Sequence, residues 1–393
     1  MTTSPRKSAL YLTRVQLDAE LHRCLNCRNS PCMTACPVNC NPQEFIQAAL
    51  AGRWSDAVKA ITRTNPMGQT CGLICPDKFC MQACTRHHVD FAINIPRVQA
   101  TILDRYREAD PCASPVPSSR RIAIIGGGPA GIAAASRLSR HGIRVTLYEA
   151  RSFLGGALTM IPQERLPRDV IQKDWAFIPH RDLIDLKLQS PVEDPVALCS
   201  VYDGVIVATG EPHDIALGIP GESLSISYRE YLQEPEKYRT SGAVAVIGGG
   251  NVAADCALTA RRMGASDVEM FIRRRISDMR ISRPEFLALL HEDISLCGMS
   301  SPEAISAHGE LLGLHVRRNQ YVDGRWVPLS NSVIEIPYFS RIIRAIGSRA
   351  DAKADPVPDN LIYAGDCKTG GSTIVEAIAS GLAAADHFLD ILS

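Results

Sequence analysis

The sequence predicts an α/β protein in which an all-helical N-terminal region precedes two parallel-sheet units, the second inserted into the first. Three observations carry that prediction. Nine of the fourteen cysteines crowd between Cys24 and Cys84. An apolar strand, a glycine turn and an alanine-rich helix occur twice, over Arg121–Leu138 and Ala243–Arg262. Two further apolar strands end in glycine turns, at Val205–Pro212 and Ile342–Gly347. Repeated strand–turn–helix units build parallel sheets, because a parallel neighbour is reached only through a long crossover. The two glycine-terminated strands read as the points where the chain leaves the first unit and returns to it. The expected boundaries are 1–118 for the helical region, 119–212 and 348–393 for the first unit, and 213–347 for the second.

Composition narrows the function classes. A chain of 393 residues with 46% hydrophobic content can bury several cores, and 42 basic against 42 acidic residues create no global field to attract nucleic acid or an anionic membrane. The N-terminal apolar run, Ala9 to Leu12, is far too short for a signal core or a membrane span. A cytoplasmic location is therefore expected, where crowded cysteines point to metal ligation and not to disulfides. Helices are expected over Pro42–Gly52, with Gly52 as its cap, and over Trp54–Thr62. The Pro/Ser-rich stretch Pro111–Ser119 reads as a linker.

The first cysteines run Cys24-x2-Cys27-x4-Cys32-x3-Cys36-Pro37, close to the bacterial ferredoxin pattern. There three cysteines hold one 4Fe–4S cluster and the fourth, followed by proline, reaches a second. Cys71-x3-Cys75-Pro76-x3-Cys80-x3-Cys84 supplies a further set. Soft thiolates suit iron in a sulfide cluster, whereas zinc would favour paired CxxC knuckles with four ligands per ion.

Each glycine turn has its own chemistry. Ile122-Ala-Ile-Ile-Gly126-Gly-Gly128-Pro129-Ala130-Gly131 follows a strand and opens a helix, so bare backbone and free N–H groups can meet a pyrophosphate. The next strand ends at Glu149, placed for the diol of a ribose without a 2′-phosphate. Leu361-Ile-Tyr-Ala-Gly365-Asp366 reads as a strand whose terminal aspartate would meet the ribityl hydroxyls of a flavin, with the helix from Thr373 to Leu389 aiming its positive end at the ring. In the second unit, Gly248-Gly-Gly250-Asn251-Val252-Ala253 repeats the fingerprint, and the strand from Val268 ends in Arg273-Arg-Arg275 where an NAD enzyme would carry an acid. Arginine forks suit a 2′-phosphate, which favours NADPH. No CxxC pair accompanies these units. Cys199, Cys256, Cys297 and Cys367 are solitary and read as core residues, which argues against thiol redox chemistry.

With these motifs in order, nearly the whole chain resembles the flavin and iron–sulfur electron-entry module shared by the glutamate synthase small subunit and dihydropyrimidine dehydrogenase. The resemblance is tightest at Cys24–Cys27 and Cys36-Pro37, at Asn65–Pro76, at Ile161–Pro167 and at Gly248–Cys256. It implies that Cys24, Cys27, Cys32 and Cys84 hold one cluster, that Cys36, Cys75, Cys80 and Gln99 hold the other, and that Cys40 and Cys71 are spare. It further implies a 2′-phosphate site at Arg273, Arg274 and Arg280, and adds Gly156, Arg165, Gly210 and Gly347 to the candidate cofactor contacts. Between Gly156 and Val201 the chain is shorter than the family. The implied reaction takes hydride from NADPH to FAD and sends single electrons through two clusters. The acceptor would be a partner catalytic subunit like the pyrimidine-reducing chain, docked near Cys36 or Cys80. A glutamate synthase-like role, a stand-alone ferredoxin-type reductase and a redox-sensing subunit are the alternatives. No acid–base residue acting on a carbon substrate is recognised.

Overall fold

The computed structural model describes residues 10–108, 115–353 and 355–392. The first four residues of the expected linker, 111–114, lie outside them. The chain divides into two compact units, one of Met1–Thr159, Gln163–Pro212 and Arg349–Ser393, the other of Met160–Pro162 and His213–Ser348.

The first unit opens with helices at Arg14–His22, Pro31–Thr34, Pro42–Leu50, Trp54–Thr62, Gly68–Ile74 and Ile95–Tyr106. Their ends follow local chemistry. The Asn41 side chain accepts from the Glu44 amide ahead of Pro42, and the chain leaves that helix through Gly52 at φ 72°. Asn94 caps the last helix in the same way, accepting from the Arg97 amide. Phe45, Ile46, Ile61, Met67, Ile102 and Leu103 are fully buried. Each such side chain contributes about 1.5–3 kcal/mol of apolar burial.

The same unit contains a five-stranded parallel sheet in the order Leu361–Tyr363, Gly204–Val207, Arg121–Ile125, Arg144–Tyr148, Ile184–Lys187. Ile122, Ala123, Ile124 and Ile125 are all buried, with none of the alternation of a half-exposed strand, because the helix Pro129–Arg140 packs on the sheet and Ala123 and Ile125 are covered by Tyr202, Leu198 and Cys367. The glycine-loop helix Pro129–Arg140 packs against the terminal helix Ile374–Leu392. A Cβ at Gly381 would stand 2.0 Å from the Ala130 carbonyl oxygen, so only glycine admits that approach.

A buried carboxylate ties the cysteine helices to this sheet. Asp174, 1% exposed on the helix Arg168–Ala176, accepts from the amides of Gln69 (3.3 Å) and Thr70 (2.8 Å) and pairs with Arg107 at 2.7 Å. It thus caps the positive end of Gly68–Ile74. Burial pushes its carboxyl above the usual range, against the pull of Arg107 and Thr70.

The second unit holds a sheet in the order Ser300–His308, Leu311–Val322, Arg325–Arg344, Ala243–Ile247, Val268–Ile272, Ser295–Gly298, with Ile226–Ser227 also paired to Arg325–Arg344. The first three strands form an antiparallel meander and the rest run parallel. The helix Asn251–Arg262 covers one face over Val244, Val246, Met270 and Ile343; Phe271, Leu314, Phe339 and Ile342 fill the other. The α/β class and the helical cysteine region stand as expected from the sequence.

Candidate functional site

At the first glycine loop the strand Arg121–Ile125 must turn sharply into a helix. Gly126 makes the turn at φ 110°, where a Cβ would lie 2.4 Å from the Ala208 carbonyl oxygen. Gly128 caps the helix, Pro129 opens it, and Ala130 and Gly131 are buried inside it. Glu149 directly follows the second strand, 7% exposed, with one oxygen accepting from the Gly127 amide and the other from the Arg151 amide, each at 2.8 Å. Its carboxylate is thereby fixed beside the loop with lone pairs to spare for a ribose diol. Gly156 lies over the loop, since a Cβ there would stand 3.0 Å from Gly128 Cα.

Gly365 reaches the same loop from the chain's far end, within 2.9 Å of the Ala130 Cβ for an added Cβ. Asp366 does not close the strand but opens a short helical turn, Asp366–Thr369; burial raises its carboxyl while Ser372 donates to it at 2.5 Å. Thr373 begins the terminal helix through a reciprocal cap with Glu376: its amide donates to the Glu376 carboxylate at 2.9 Å. Glu376 in turn lies 3.9 Å from Lys78, between Cys75 and Cys80. Gly210 turns at φ 71° with open space around it, and Arg165 is half-buried near Arg97.

The second loop, in the other unit, repeats the turn at Gly248, φ 146°. Gly250 caps the helix that Asn251 begins, and Asn251 and Val252 are exposed. Gly347 turns at φ 115°. The three arginines separate here. Arg275, exposed like Arg273, is held by Asp278 at 3.1 Å and lies over the Tyr321 and Trp326 rings, and Arg274 is half-buried. Arg280, also exposed, bridges to Gly250, its amide donating to the Gly249 carbonyl at 3.2 Å. Asn319, 6% exposed on the meander, donates to the Arg273 carbonyl at 2.9 Å and to Ser301 at 2.8 Å. No local sequence pattern marks Asn319 or Asp174 as fixing these segments.

The cysteines gather into two groups. Cys24, Cys27, Cys32 and Cys84 line one cavity with Leu25, Pro31 and Ile46. Cys36, Cys40, Cys71, Cys75 and Cys80 form the other, each near at least one other member. Among the described residues no three His, Cys, Asp or Glu side chains converge as ligands of a single ion. Burial, then the neighbouring thiols, push Cys32 up to about 11 and Cys80 up to about 12, and Cys75 higher still. Such thiols become thiolates only against a strong positive charge, which iron supplies. The donor set and the cavity fit a cluster. Gln99, 7% exposed, donates to the Gly68 carbonyl at 2.6 Å and turns its oxygen to within 3.8 Å of Cys40 Sγ. The solitary Cys256 is fully buried, its thiol pushed well above the usual range.

Comparison with known proteins agrees with this geometry. Residues 3–111 match the family model described as dihydropyrimidine dehydrogenase domain II, 4Fe-4S cluster, and residues 120–324, just over half of the chain, match that of pyridine nucleotide-disulphide oxidoreductase. The chain is 29% identical to the NAD-dependent dihydropyrimidine dehydrogenase subunit PreT homolog of Salmonella typhi, over 94% of each chain. It is 30% identical to the NADPH-Fe(3+) oxidoreductase subunit beta of Geobacter sulfurreducens, over 68% of this chain and 42% of that one. In fold it is similar to Mycobacterium tuberculosis FprA in complex with NADPH, with TM-score 0.61 and 19% identity over 70% of this chain and 85% of that one. Among the described residues no helix is long and apolar enough to cross a membrane.

Proposed function

The chain belongs to the pyridine nucleotide-disulphide oxidoreductase family and is an NAD(P)H-dependent FAD iron–sulfur oxidoreductase, and from that premise we propose that it is the NADPH-oxidising subunit of a larger enzyme whose substrate chemistry lies on a partner chain. The observation that carries the reading is the placement of both thiol groups in one compact unit with the flavin-type glycine loop. Asp174 and the Lys78–Glu376 pair join the two parts.

When bound, FAD would supply hydride acceptance and iron–sulfur clusters the relay of single electrons. The chain's own residues bind and orient. The amides after Gly128 and the Glu149 carboxylate would hold the pyrophosphate and ribose of FAD, with Asp366 and the Thr373 cap near its ring system. Arg273, Arg274 and Arg280 would take the 2′-phosphate of NADPH, Arg275 being engaged by Asp278. Lys78 sits between Cys75 and Cys80 and reaches the flavin-side helix, so the second thiol group would be the inner one. The first group, with Cys24, Cys27 and Cys32 half-buried, would then be the outer one and face the acceptor. The docking place would then lie at this outer group instead of near Cys36 or Cys80.

The partner is proposed to resemble the pyrimidine-reducing chain of dihydropyrimidine dehydrogenase, in keeping with the matched domain and relative. Anaerobic affinity capture followed by uracil and thymine reduction tests it. The pure chain should oxidise NADPH with an artificial dye and reduce the pyrimidine only with the partner. Full-rate turnover of the chain alone with a soluble ferredoxin or small molecule, and no partner recovered, would refute the subunit reading.

A further inference from the structure

We propose that Tyr321, Trp326 and the Arg275 guanidinium form the seat for the adenine ring of the nicotinamide nucleotide, beside the arginines that take its 2′-phosphate. The proposal rests on the assignment of this unit to NADPH given above.

A tight turn builds the seat. The strands Leu311–Val322 and Arg325–Arg344 are joined by Asp323 and Gly324, both in the left-handed region at φ 48° and 79°, as a two-residue hairpin loop requires. That turn sets Tyr321 directly opposite Trp326, with ring centroids 4.9 Å apart. A cross-strand aromatic pair steadies a hairpin wherever it occurs. This one is also fastened to the segment that follows the strand Val268–Ile272. Arg275 Cζ lies 5.8 Å from the Tyr321 ring centroid and 5.7 Å from that of Trp326, while Asp278 grips the same guanidinium through two nitrogens, at 3.1 and 3.2 Å. The Asn319 side chain donates to the Arg273 carbonyl at 2.9 Å, and the Met299 amide to the Arg274 carbonyl at 2.7 Å. The ring pair and the phosphate arginines therefore belong to one framework.

The chemistry of the nucleotide selects the use of that framework. Adenine and the 2′-phosphate hang on the same ribose, so a phosphate held by Arg273 and Arg274 leaves the base beside their chain neighbour Arg275. Tyr321, 58% exposed, keeps much of its ring open there. A purine stacks on aromatic rings and on a flat guanidinium alike. Because Asp278 already balances the charge of Arg275, what this arginine offers a ligand is its plane.

Calorimetric titration of the full chain with 2′,5′-ADP, NADPH and NADH tests the seat, together with the emission of Trp326; the other two tryptophans, Trp54 and Trp175, lie in the first unit. The unaltered chain should bind 2′,5′-ADP with quenching of tryptophan emission; no binding at all would refute the NADPH assignment itself. Trp326→Phe should keep the affinity and lose the quenching, an outcome that stands even where larger truncations fail to fold. The double variant Tyr321→Ala, Trp326→Ala should raise Kd about tenfold, the scale of a lost base-stacking contact. The factor should be the same for all three ligands, since all carry adenine. Binding without quenching in the unaltered chain, quenching that persists in Trp326→Phe, or an unchanged Kd in the double variant overturns the proposal. A loss confined to the two 2′-phosphorylated ligands overturns it as well, because the rings would then act only through the phosphate arginines.

Discussion

The two glycine loops begin from nearly the same sequence, Gly-Gly-Gly-Pro-Ala-Gly and Gly-Gly-Gly-Asn-Val-Ala, and differ most in what covers them. The first is roofed. Glu149 grips Gly127, Gly156 lies over Gly128, and Gly365 approaches Ala130. In the second, an added Cβ on Gly250 would meet no atom within 4 Å, and the helix start at Asn251 and Val252 is exposed. A closed loop suits a nucleotide that stays; an open one suits a nucleotide that exchanges at every turnover. The local motif is shared, and the difference in use lies in the surroundings.

The largest expected effect sets the loops directly against each other. A Cβ at Gly131 would stand 1.9 Å from the Gly126 carbonyl oxygen, so Gly131→Ala should cost at least about 2 kcal/mol and strip FAD. Gly250→Ala has open space and should leave FAD content and the melting temperature nearly unchanged while raising the KM for NADPH. Flavin absorbance and thermal melts of both variants check this; a Gly250→Ala chain as damaged as Gly131→Ala would end the distinction between closed and open loops.

The strand ends after the two loops carry opposite charge, Glu149 in one and Arg273 in the other. Arg273→Glu should therefore lower kcat/KM for NADPH by one to two orders of magnitude, the worth of roughly 1.5–3 kcal/mol for a charge-assisted contact. NADH should be spared. Equal kcat/KM for the two nucleotides in the unaltered chain would remove the 2′-phosphate assignment.

A smaller effect is expected where the open loop's arginine is steadied from below. Asn319→Ala removes two hydrogen bonds, to the Arg273 carbonyl and to Ser301, each worth about 1 kcal/mol net. The melting temperature of the chain should fall by a few degrees, and the KM for NADPH should rise more than that for NADH. An equal rise for both would assign Asn319 to the fold alone.

Much of the architecture was legible because it is written in short-range patterns. The strands Arg121–Ile125 and Ala243–Ile247, their helices, and the break at Gly52 follow from apolar runs, glycine turns and caps spanning a few residues. Cysteine crowding likewise announced metal ligation, and single cysteines such as Cys256 announced core. Three features were not legible from local pattern and spacing. Arg275 looks interchangeable with Arg273 in the sequence, yet Asp278 and two rings from the meander claim it. Asp174 sits in a polar helix with no motif and becomes the buried cap of Gly68–Ile74. Cys84 reads by spacing with the second set and only by the family resemblance with Cys24, Cys27 and Cys32, whose cavity it lines.

The sequence by itself thus determined the class of fold, the two phosphate-type turns and the kinds of donor atom available, since each depends on neighbours along the chain. Only the tertiary structure decided which thiols stand together, which arginine is claimed by aromatic rings and which loop is covered, because those depend on segments tens to hundreds of residues apart that meet only when the cores pack.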